Sequence, residues 1–234
     1  MYNLQFDAAH RTFGEFQRLH PQDPIAPVSD AAAYLFAEFD RLHILQSEFF
    51  THDEHFVTDH KLAPDPKVKD KFETALDIAA LLADKQPNNP NSRFAALLCH
   101  GLRSDYMALI EKRYGASFRE MKTARGMAEQ LLAEHPEFYD AWVAVGVENY
   151  MLSTKALPLR WLLRLGGGQT DRTVGLEKLR IAAEKGHYLL PFARLLLAVA
   201  ALRDHRTDQA KGILEDLARQ FPHNELYVQE LARL

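Results

Sequence analysis

One spacing recurs along the chain and restricts its fold more than any other feature. Small or apolar residues followed by a helix-ending residue stand at steps of 4, 3 and 5. Steps of 4 and 3 place side chains on one face of a helix, and a proline five residues later cannot continue it because proline lacks the N–H donor. The sets are Ala75, Ala79, Leu82, Pro87; Ala124, Ala128, Leu131, Pro136; and Ala210, Leu214, Leu217, Pro222. Each set predicts the second helix of a helical hairpin.

Two weaker copies of this spacing extend the pattern. They are Gly175, Leu179, Ala182, His187 and, at the start of the chain, Ala9, Phe13, Phe16, Pro21. No segment shows sustained two-residue alternation, so we expect an all-α chain without a sheet. No first helix precedes the copy at the start. Because helical solenoids need polar caps, we expect that the natural protein has residues upstream of Met1.

A second pattern marks the candidate first helices. The stretch "AWVAVGVENY" carries Trp142, Val145, Gly146 and Asn149, and a large ring beside a missing side chain lets two helices approach closely. This pattern resembles the tetratricopeptide repeat, whose first helix carries a tryptophan, a leucine-glycine pair and a tyrosine. Asn149 replaces that tyrosine here, with Tyr150 next to it. The resemblance also extends to a bacterial group of tetratricopeptide-like proteins, often exported, that has no assigned activity.

The resemblance implies a single domain over residues 1–234, folded as a helical-hairpin repeat solenoid, a TPR-like superhelix. We place an irregular part at 1–66, repeats at about 67–222 and a C-terminal capping helix at about 223–234. The second helices start 49, 51 and 35 residues apart, against a family period of about 34. The first excess predicts lengthened hairpins. The second contains Pro158 and three glycines, so it predicts one inserted short helix, "LPLRWLLRL".

Capping residues predict several helix boundaries, because side-chain oxygens at helix starts and glycines at helix ends satisfy backbone groups left without partners. The helix that begins near Ser29 or Asp30 would run for about six turns and end near Phe50. The predicted starts are Ser29 or Asp30, Asp65 with Pro66, and a capping box from Ser117 to Glu120, and the predicted end is Gly115.

The net charge argues against nonspecific nucleic-acid binding, and the length of the apolar runs argues against a membrane span. With 28 basic and 32 acidic residues, the formal net charge is −4, so the chain lacks the basic field that nonspecific nucleic-acid binding needs. The apolar run "LLLAVAAL" has eight residues, whereas a membrane span needs about 20. Residues 1–10 lack the regions of a signal peptide. We expect a soluble protein without a membrane span, exported to the periplasm or cell envelope if a signal peptide precedes Met1.

The stretch "THDEHFVTDH", residues 51–60, contains enough ligands for a metal ion. His52, His55, Asp59 and His60 could coordinate zinc, with Glu54 as a base. Their spacing is not that of HExxH, which fixes two histidines one turn apart, and no single regular conformation points all four inward. We interpret the stretch as a polar connecting segment and expect no metal and no cofactor. A metal-dependent, hydrolase-like enzyme that uses this cluster is the alternative function.

The remaining candidates for chemistry have simpler interpretations. The stretch "RLGGGQTDR" could bind a phosphate through backbone N–H groups, but it lacks the P-loop spacing and a preceding strand, so we interpret it as a hinge. Arg103 and Asp105 are expected to form a local ion pair. Cys99 and His100 would point about 100° apart on a helix, so no nucleophilic dyad forms. We therefore predict no catalytic residue.

The predicted function is that of a non-catalytic scaffold that binds a protein or peptide on the concave face of its hairpins, as the tetratricopeptide resemblance implies. The matching groove positions are apolar: Cys99, Val143, Val147, Leu195 and Val199. The candidate ligand residues are Arg103, Glu148, Tyr150, Arg160, Trp161 and Arg164.

Most of these candidate ligand residues lie on the inserted helix or are expected beside it. Burial of a leucine or tryptophan stabilises a fold by about 1.5 to 3 kcal/mol, so we expect Leu159, Leu162 and Leu163 to pack against the groove. Arg160 and Arg164 would then lie at its rim and favour a carboxylate-bearing ligand. Two alternatives remain open: the helix serves packing only, with solvated arginines, or it lies on a membrane surface.

Overall fold

The computed structural model describes residues 1–45, 62–155 and 157–234, and over these ranges every regular element is helical. A π-helical turn, Tyr106–Ile110, continues the helix Pro90–Asp105, and a 3-10 turn, Tyr139–Ala141, precedes the helix Trp142–Ser153. The prediction of an all-helical chain is confirmed for the described residues. The α-helices are α1 Phe6–Leu19, α2 Ile25–Arg41, α3 Pro66–Asp84, α4 Pro90–Asp105, α5 Tyr114–Glu134, α6 Trp142–Ser153, α7 Leu157–Leu165, α8 Arg172–Lys185, α9 Leu190–Arg203, α10 Thr207–Gln220 and α11 Glu225–Leu231.

The recurring spacing lies on the buried faces of α3, α5, α8 and α10. Its buried members are Ala75, Ala79, Leu82, Ala124, Ala128, Leu131, Leu179, Ala182, Ala210, Leu214 and Leu217. The helices α3, α5 and α10 end shortly before Pro87, Pro136 and Pro222. The copy in α1 is only partly buried, because Ala9 is 6% exposed whereas Phe16 is 39% exposed. The local spacing therefore identified the packed faces of α3, α5, α8 and α10.

Helices close in sequence pack against one another. The strongest pairings join α1 with α2, α2 with α3, α4 with α5, α6 with α8, α8 with α9, and α9 with α10. The inserted helix α7 stands outside these pairs. The helix α1 packs against α2, which follows it.

The predicted start of α3 is correct, whereas the predicted start and end of α2 are both wrong. Asp65 caps α3 by accepting a hydrogen bond from the Lys67 N–H at 2.8 Å, as expected. The helix α2 already begins at Ile25, so Ser29 and Asp30 lie inside it, and it ends at Arg41 rather than near Phe50. Asp30 instead contacts His10 Nδ1 at 2.6 Å. Packing against α1 therefore uses the side chain that the sequence offered as a cap.

The turn between α4 and α5 contains no glycine. Lys112 adopts the left-handed conformation with φ 58°, and the Arg113 N–H donates to the Met107 carbonyl at 2.8 Å. The helix α5 begins at Tyr114, so Gly115 lies in its first turn rather than at the end of α4. Ser117 does not act as a cap: it is buried and its Oγ lies 3.0 Å from the Ser104 Oγ. The hairpin of α4 and α5 is lengthened, as expected. Its bend follows the π-helical turn directly and lies before Gly115 rather than at it.

The helices α6 and α8 cross at two glycines. A Cβ atom on Gly175 would lie 2.6 Å from the Tyr150 backbone nitrogen and 3.0 Å from the Gly146 carbonyl oxygen. A Cβ atom on Gly146 would lie 2.8 Å from Leu179 Cγ. The expectation that a missing side chain allows close approach is confirmed at this crossing, with Gly175 as the matching partner.

The N-terminal helices contact both ends of the array. The Ile25 side chain packs with the clusters around α3 and α4, and the Phe36 ring meets the Phe192 ring of α9 at 5.9 Å. The Tyr2 ring lies 5.4 Å from the Phe221 ring, and the Asn224 side chain donates to the Tyr2 carbonyl at 2.9 Å. Residues 1–45 therefore connect the first described hairpins to the last, which no local pattern in the sequence indicated.

Candidate functional site

The helix α7 presents an apolar ridge to solvent. Trp161, Leu162 and Leu165 are 65%, 60% and 66% exposed, and Leu159 is 46% exposed. The principal helical neighbour of α7 is α6, so this short helix stands out from the paired array. Singly exposed apolar residues are ordinary, but four on nine consecutive residues form a patch of the kind that marks an interaction site.

The loop after α7 holds the helix in place. Gly167 takes a positive φ of 82°, and the Gly168 N–H donates to the Leu163 carbonyl at 2.9 Å, as in a glycine-terminated helix. Lys122 Nζ donates to the Gly166 carbonyl at 2.9 Å. A Cβ atom on Gly168 would lie 2.9 Å from Leu152 Cδ1 and 3.1 Å from Phe118 Cε2. The glycines therefore allow a tight turn that packs directly on α5 and α6.

These contacts contradict both interpretations of the glycine-rich stretch. The N–H groups of Gly166, Gly167 and Gly168 bind carbonyls of α7, and the Gln169 N–H binds Glu148 Oε1 at 3.0 Å. A phosphate would have to displace these partners, so the loop does not offer the free donors that a phosphate cradle needs. The same bonds make it an anchored turn rather than a hinge.

A buried polar network lies beneath the loop. Glu148 is fully buried and receives a hydrogen bond from Arg125 Nε at 3.0 Å. Arg125 also pairs with Glu129 at 2.7 Å, and Gln169 Nε2 donates to Glu129 at 2.8 Å. Asn149 donates to Gln169 Oε1 at 2.7 Å and accepts from the Asp171 N–H at 3.1 Å. The network ties α5, α6 and the loop into one rigid support for α7.

Electrostatics within this network follow from burial. Burial raises the pKa of Glu148 above its ordinary value, and the Gln169 N–H and the Arg125 guanidinium oppose that rise. Arg125 therefore supplies the charge that makes a buried carboxylate tolerable. This arrangement suits a structural support, because every polar group named in it already has a partner within the chain.

The structure brings together some predicted ligand residues and not others. Arg160 donates to the Ser153 carbonyl at 3.2 Å and Arg164 donates to Thr170 Oγ1, and both lie on α7 together with Trp161. Glu148 and Tyr150 are 0% and 2% exposed. They lie within the packed array rather than at a rim.

Arg103 lies apart from this group. It pairs with Asp77 at 2.8 Å and lies 3.9 Å from Glu73, both on α3. The predicted ion pair between Arg103 and Asp105 is therefore wrong, because the neighbouring helix supplies carboxylates with better geometry. Nothing in the geometry joins Arg103 to the residues near α7.

The predicted packing of α7 is also wrong. We expected Leu159, Leu162 and Leu163 to enter an apolar groove and Arg160 and Arg164 to lie at its rim. Leu159 and Leu162 are exposed instead, whereas Leu163 and Arg160 are partly buried. The arginines are used to bind a backbone carbonyl of α6 and the following loop, which turns the apolar face outward.

The expected groove is not open at its predicted lining residues. Cys99 is 2% exposed and lies in one cluster with Val28 and Leu35 of α2, and burial raises the pKa of its thiol to about 12. Val143 and Val199 are 5% and 7% exposed. Val147 and Leu195 pack against neighbouring clusters. These side chains serve helix packing, and α2 covers the surface near Cys99.

The metal-binding hypothesis concerns residues outside the described ranges. His52, His55, Asp59 and His60, together with Glu54, all fall between the described residues 45 and 62. Among the residues that the structure does describe, no group of three His, Cys, Asp or Glu side chains could hold a metal ion. The cluster at 51–60 therefore stays a prediction without a structural test.

Sequence reasoning missed the residues that support α7 from α5. Lys122 and Arg125 both reach the loop, Lys122 through Gly166 and Arg125 through the Gly167 carbonyl at 3.3 Å. Both stand about 40 residues before the loop, so no local spacing connects them to it. The one available signal was that Arg125 directly follows Ala124, on a helix whose buried face the spacing had identified.

Comparison with known proteins identifies no family or function for this chain. Comparison of the chain with protein-family models, with curated proteins and with solved structures gave no match. None of the described helices combines the length and the apolar character that crossing a membrane requires. The tetratricopeptide resemblance of residues 67–234 therefore remains a prediction from sequence.

Proposed function

We propose that this protein is a non-catalytic binding scaffold, a TPR-like solenoid of helical hairpins that docks through the ridge of α7. The repeated buried faces of α3, α5, α8 and α10 and the pairing of successive helices support the solenoid. The observation that carries the docking surface is the exposure of Trp161, Leu162 and Leu165 on a helix anchored by a buried network.

Docking at α7 is favourable because a partner would remove exposed apolar side chains from water. Covering a large apolar side chain is worth about 1.5 to 3 kcal/mol, and a rigid support means that little entropy is lost when a partner covers it. The concave face, which the resemblance implies as the binding face for a protein or peptide, is a weaker candidate because α2 packs on Cys99. The docking surface is therefore on the outside of the array.

The test compares two exposed apolar pairs. The immobilised protein is incubated with whole-cell extract that contains membranes, and captured material is compared with that of Trp161→Ser/Leu162→Ser. The matched control is Ile78→Ser/Leu81→Ser, which removes a pair that is 45% and 59% exposed on α3. We expect capture to be lost only in the α7 variant, with circular dichroism unchanged. Equal capture by all three proteins would exclude α7 as the docking surface.

The metal-dependent hydrolase remains the alternative function. It predicts that EDTA lowers the melting temperature and that zinc restores it, because a bound metal contributes folding free energy. The scaffold predicts that EDTA and His55→Ala change neither the melting temperature nor capture.

A further inference from the structure

The charges around α7 differ from those on the rest of the molecule. Residues 154–168 contain three basic residues and no acidic one, although the whole chain has a formal net charge of −4. The positive charge is therefore concentrated beside the apolar ridge, and the rest of the chain is more acidic than the total suggests. An approaching anionic surface would be attracted to this segment and repelled elsewhere.

Three cations beside the ridge, two on α7 and one on α5, have no carboxylate partner among the described residues. Arg160, Arg164 and Lys122 bind a carbonyl, a hydroxyl and a carbonyl, all of which are neutral. Elsewhere the arginines more often face acidic residues; Arg41 with Glu38 and Arg233 with Glu230 are examples. The three cations near α7 therefore keep their full charge for a ligand.

The shape of the site decides between two anionic partners. A peptide that binds a helical protein needs a groove to cover its own apolar side chains. The helix α7 is a ridge whose principal helical neighbour is α6, so a peptide would cover little area on it. A lipid surface deforms around a ridge, and amphipathic helices lie in it with apolar side chains inward and basic side chains at the headgroups.

Resting on the proposed role of α7 as the docking surface, we propose that its occupant is an anionic membrane surface. Trp161, Leu162 and Leu165 enter the boundary between headgroups and acyl chains, and Arg160, Arg164 and Lys122 lie at the level of the lipid phosphates. The helix has nine residues, so binding is reversible and peripheral. The anchored loop keeps α7 in the orientation that insertion requires.

The experiment uses Trp161 as its reporter. The chain has two tryptophans, so Trp142→Phe leaves Trp161 as the single fluorophore. The probes are vesicles of phosphatidylglycerol mixed with phosphatidylcholine, and vesicles of phosphatidylcholine alone. We expect a blue shift of the emission and co-sedimentation with the anionic vesicles only, both weakened by salt. If Trp142→Phe does not fold, co-sedimentation of the natural sequence gives the same decision.

Two variants and one control locate the binding. Leu162→Ser is expected to weaken vesicle binding by at least about 10-fold, and Arg160→Gln/Arg164→Gln by roughly 10- to 30-fold. The control Arg11→Gln/Arg18→Gln removes the same charge from exposed positions on α1 and should change binding less than about 2-fold.

Three results would overturn the membrane inference: no binding to anionic vesicles, equal binding to neutral vesicles, or equal loss in the α1 control. An acidic protein partner would appear as α7-dependent capture from a membrane-free extract without vesicle binding. In that case only the membrane inference falls and the scaffold stands. Loss of both vesicle binding and α7-dependent capture would remove both proposals.

Discussion

At the scale of single residues, the pair of Arg125 and Glu148 has the largest expected effect. The side chains are 12% and 0% exposed. Removing the cation leaves a buried carboxylate without its charge partner, so Arg125→Met is expected to lower the free energy of unfolding by about 3 kcal/mol. Urea denaturation measures this loss.

The matched control for that change is Arg219→Met. Arg219 pairs with Asp216, and the two side chains are 78% and 55% exposed. Exposed pairs contribute little, so the control should change stability by less than about 0.5 kcal/mol. Similar losses in both variants would mean that Glu148 does not depend on Arg125 for its charge.

Asp105 gives a residue-scale prediction about pH. Burial raises the pKa of Asp105 to about 7 from 3.8, although the residue keeps some solvent contact. Between these values the unfolded chain loses the proton while the folded chain keeps it, so stability falls as pH rises from about 4 to about 7.

The variant Asp105→Asn removes this titration. It should be more stable than the natural sequence at pH 8 by on the order of 2 kcal/mol, and equal to it below pH 4, in thermal or urea unfolding. A variant that is less stable at pH 8 would show that the ionised carboxylate has a favourable partner.

At the scale of elements, the crossing of α6 and α8 depends on Gly175. A Cβ atom there would lie 2.6 Å from a backbone nitrogen, which cannot move aside as a flexible side chain can. Gly175→Ala is therefore expected to cost about 2 to 3 kcal/mol. The control Gly212→Ala, on α10 with no atom within 4 Å of the new Cβ, should stabilise by about 0.5 to 1 kcal/mol. Equal effects would contradict close contact at this crossing.

At the scale of the whole molecule, Tyr2 joins the start of the chain to its last helices. Its hydroxyl donates to the Tyr188 carbonyl at 2.9 Å, and its ring packs on Phe221. Tyr2→Ala is expected to cost about 2 kcal/mol and to speed hydrogen exchange in α11, because the Phe221 ring, which lies just before that helix, loses its packing partner. Leu19→Ala, at a position that is 59% exposed, is the control. Unchanged exchange in α11 would show that this contact does not transmit stability.

Local periodicity was enough to predict the helical class of the chain and the buried faces of α3, α5, α8 and α10. Steps of 4 and 3 depend only on the geometry of one helix, so Ala79, Ala128 and Leu214 could be assigned to buried faces before any contact was known. Pro87 and Asp65 likewise act on the backbone next to them. The inserted helix was predictable for the same reason, because Pro158 marks its start and the glycines mark its end.

Which surfaces are covered and which are exposed depends on contacts between residues far apart in the chain. A helix with one apolar face satisfies its periodicity whether that face meets a neighbour or water, so the sequence could not orient Trp161. The orientation depends on Lys122 and Arg125, which bind the loop from α5, and on α2, which covers the surface near Cys99. These contacts join residues far apart in the chain, and the pairing of distant residues is set by the packing of the whole array rather than by any local pattern.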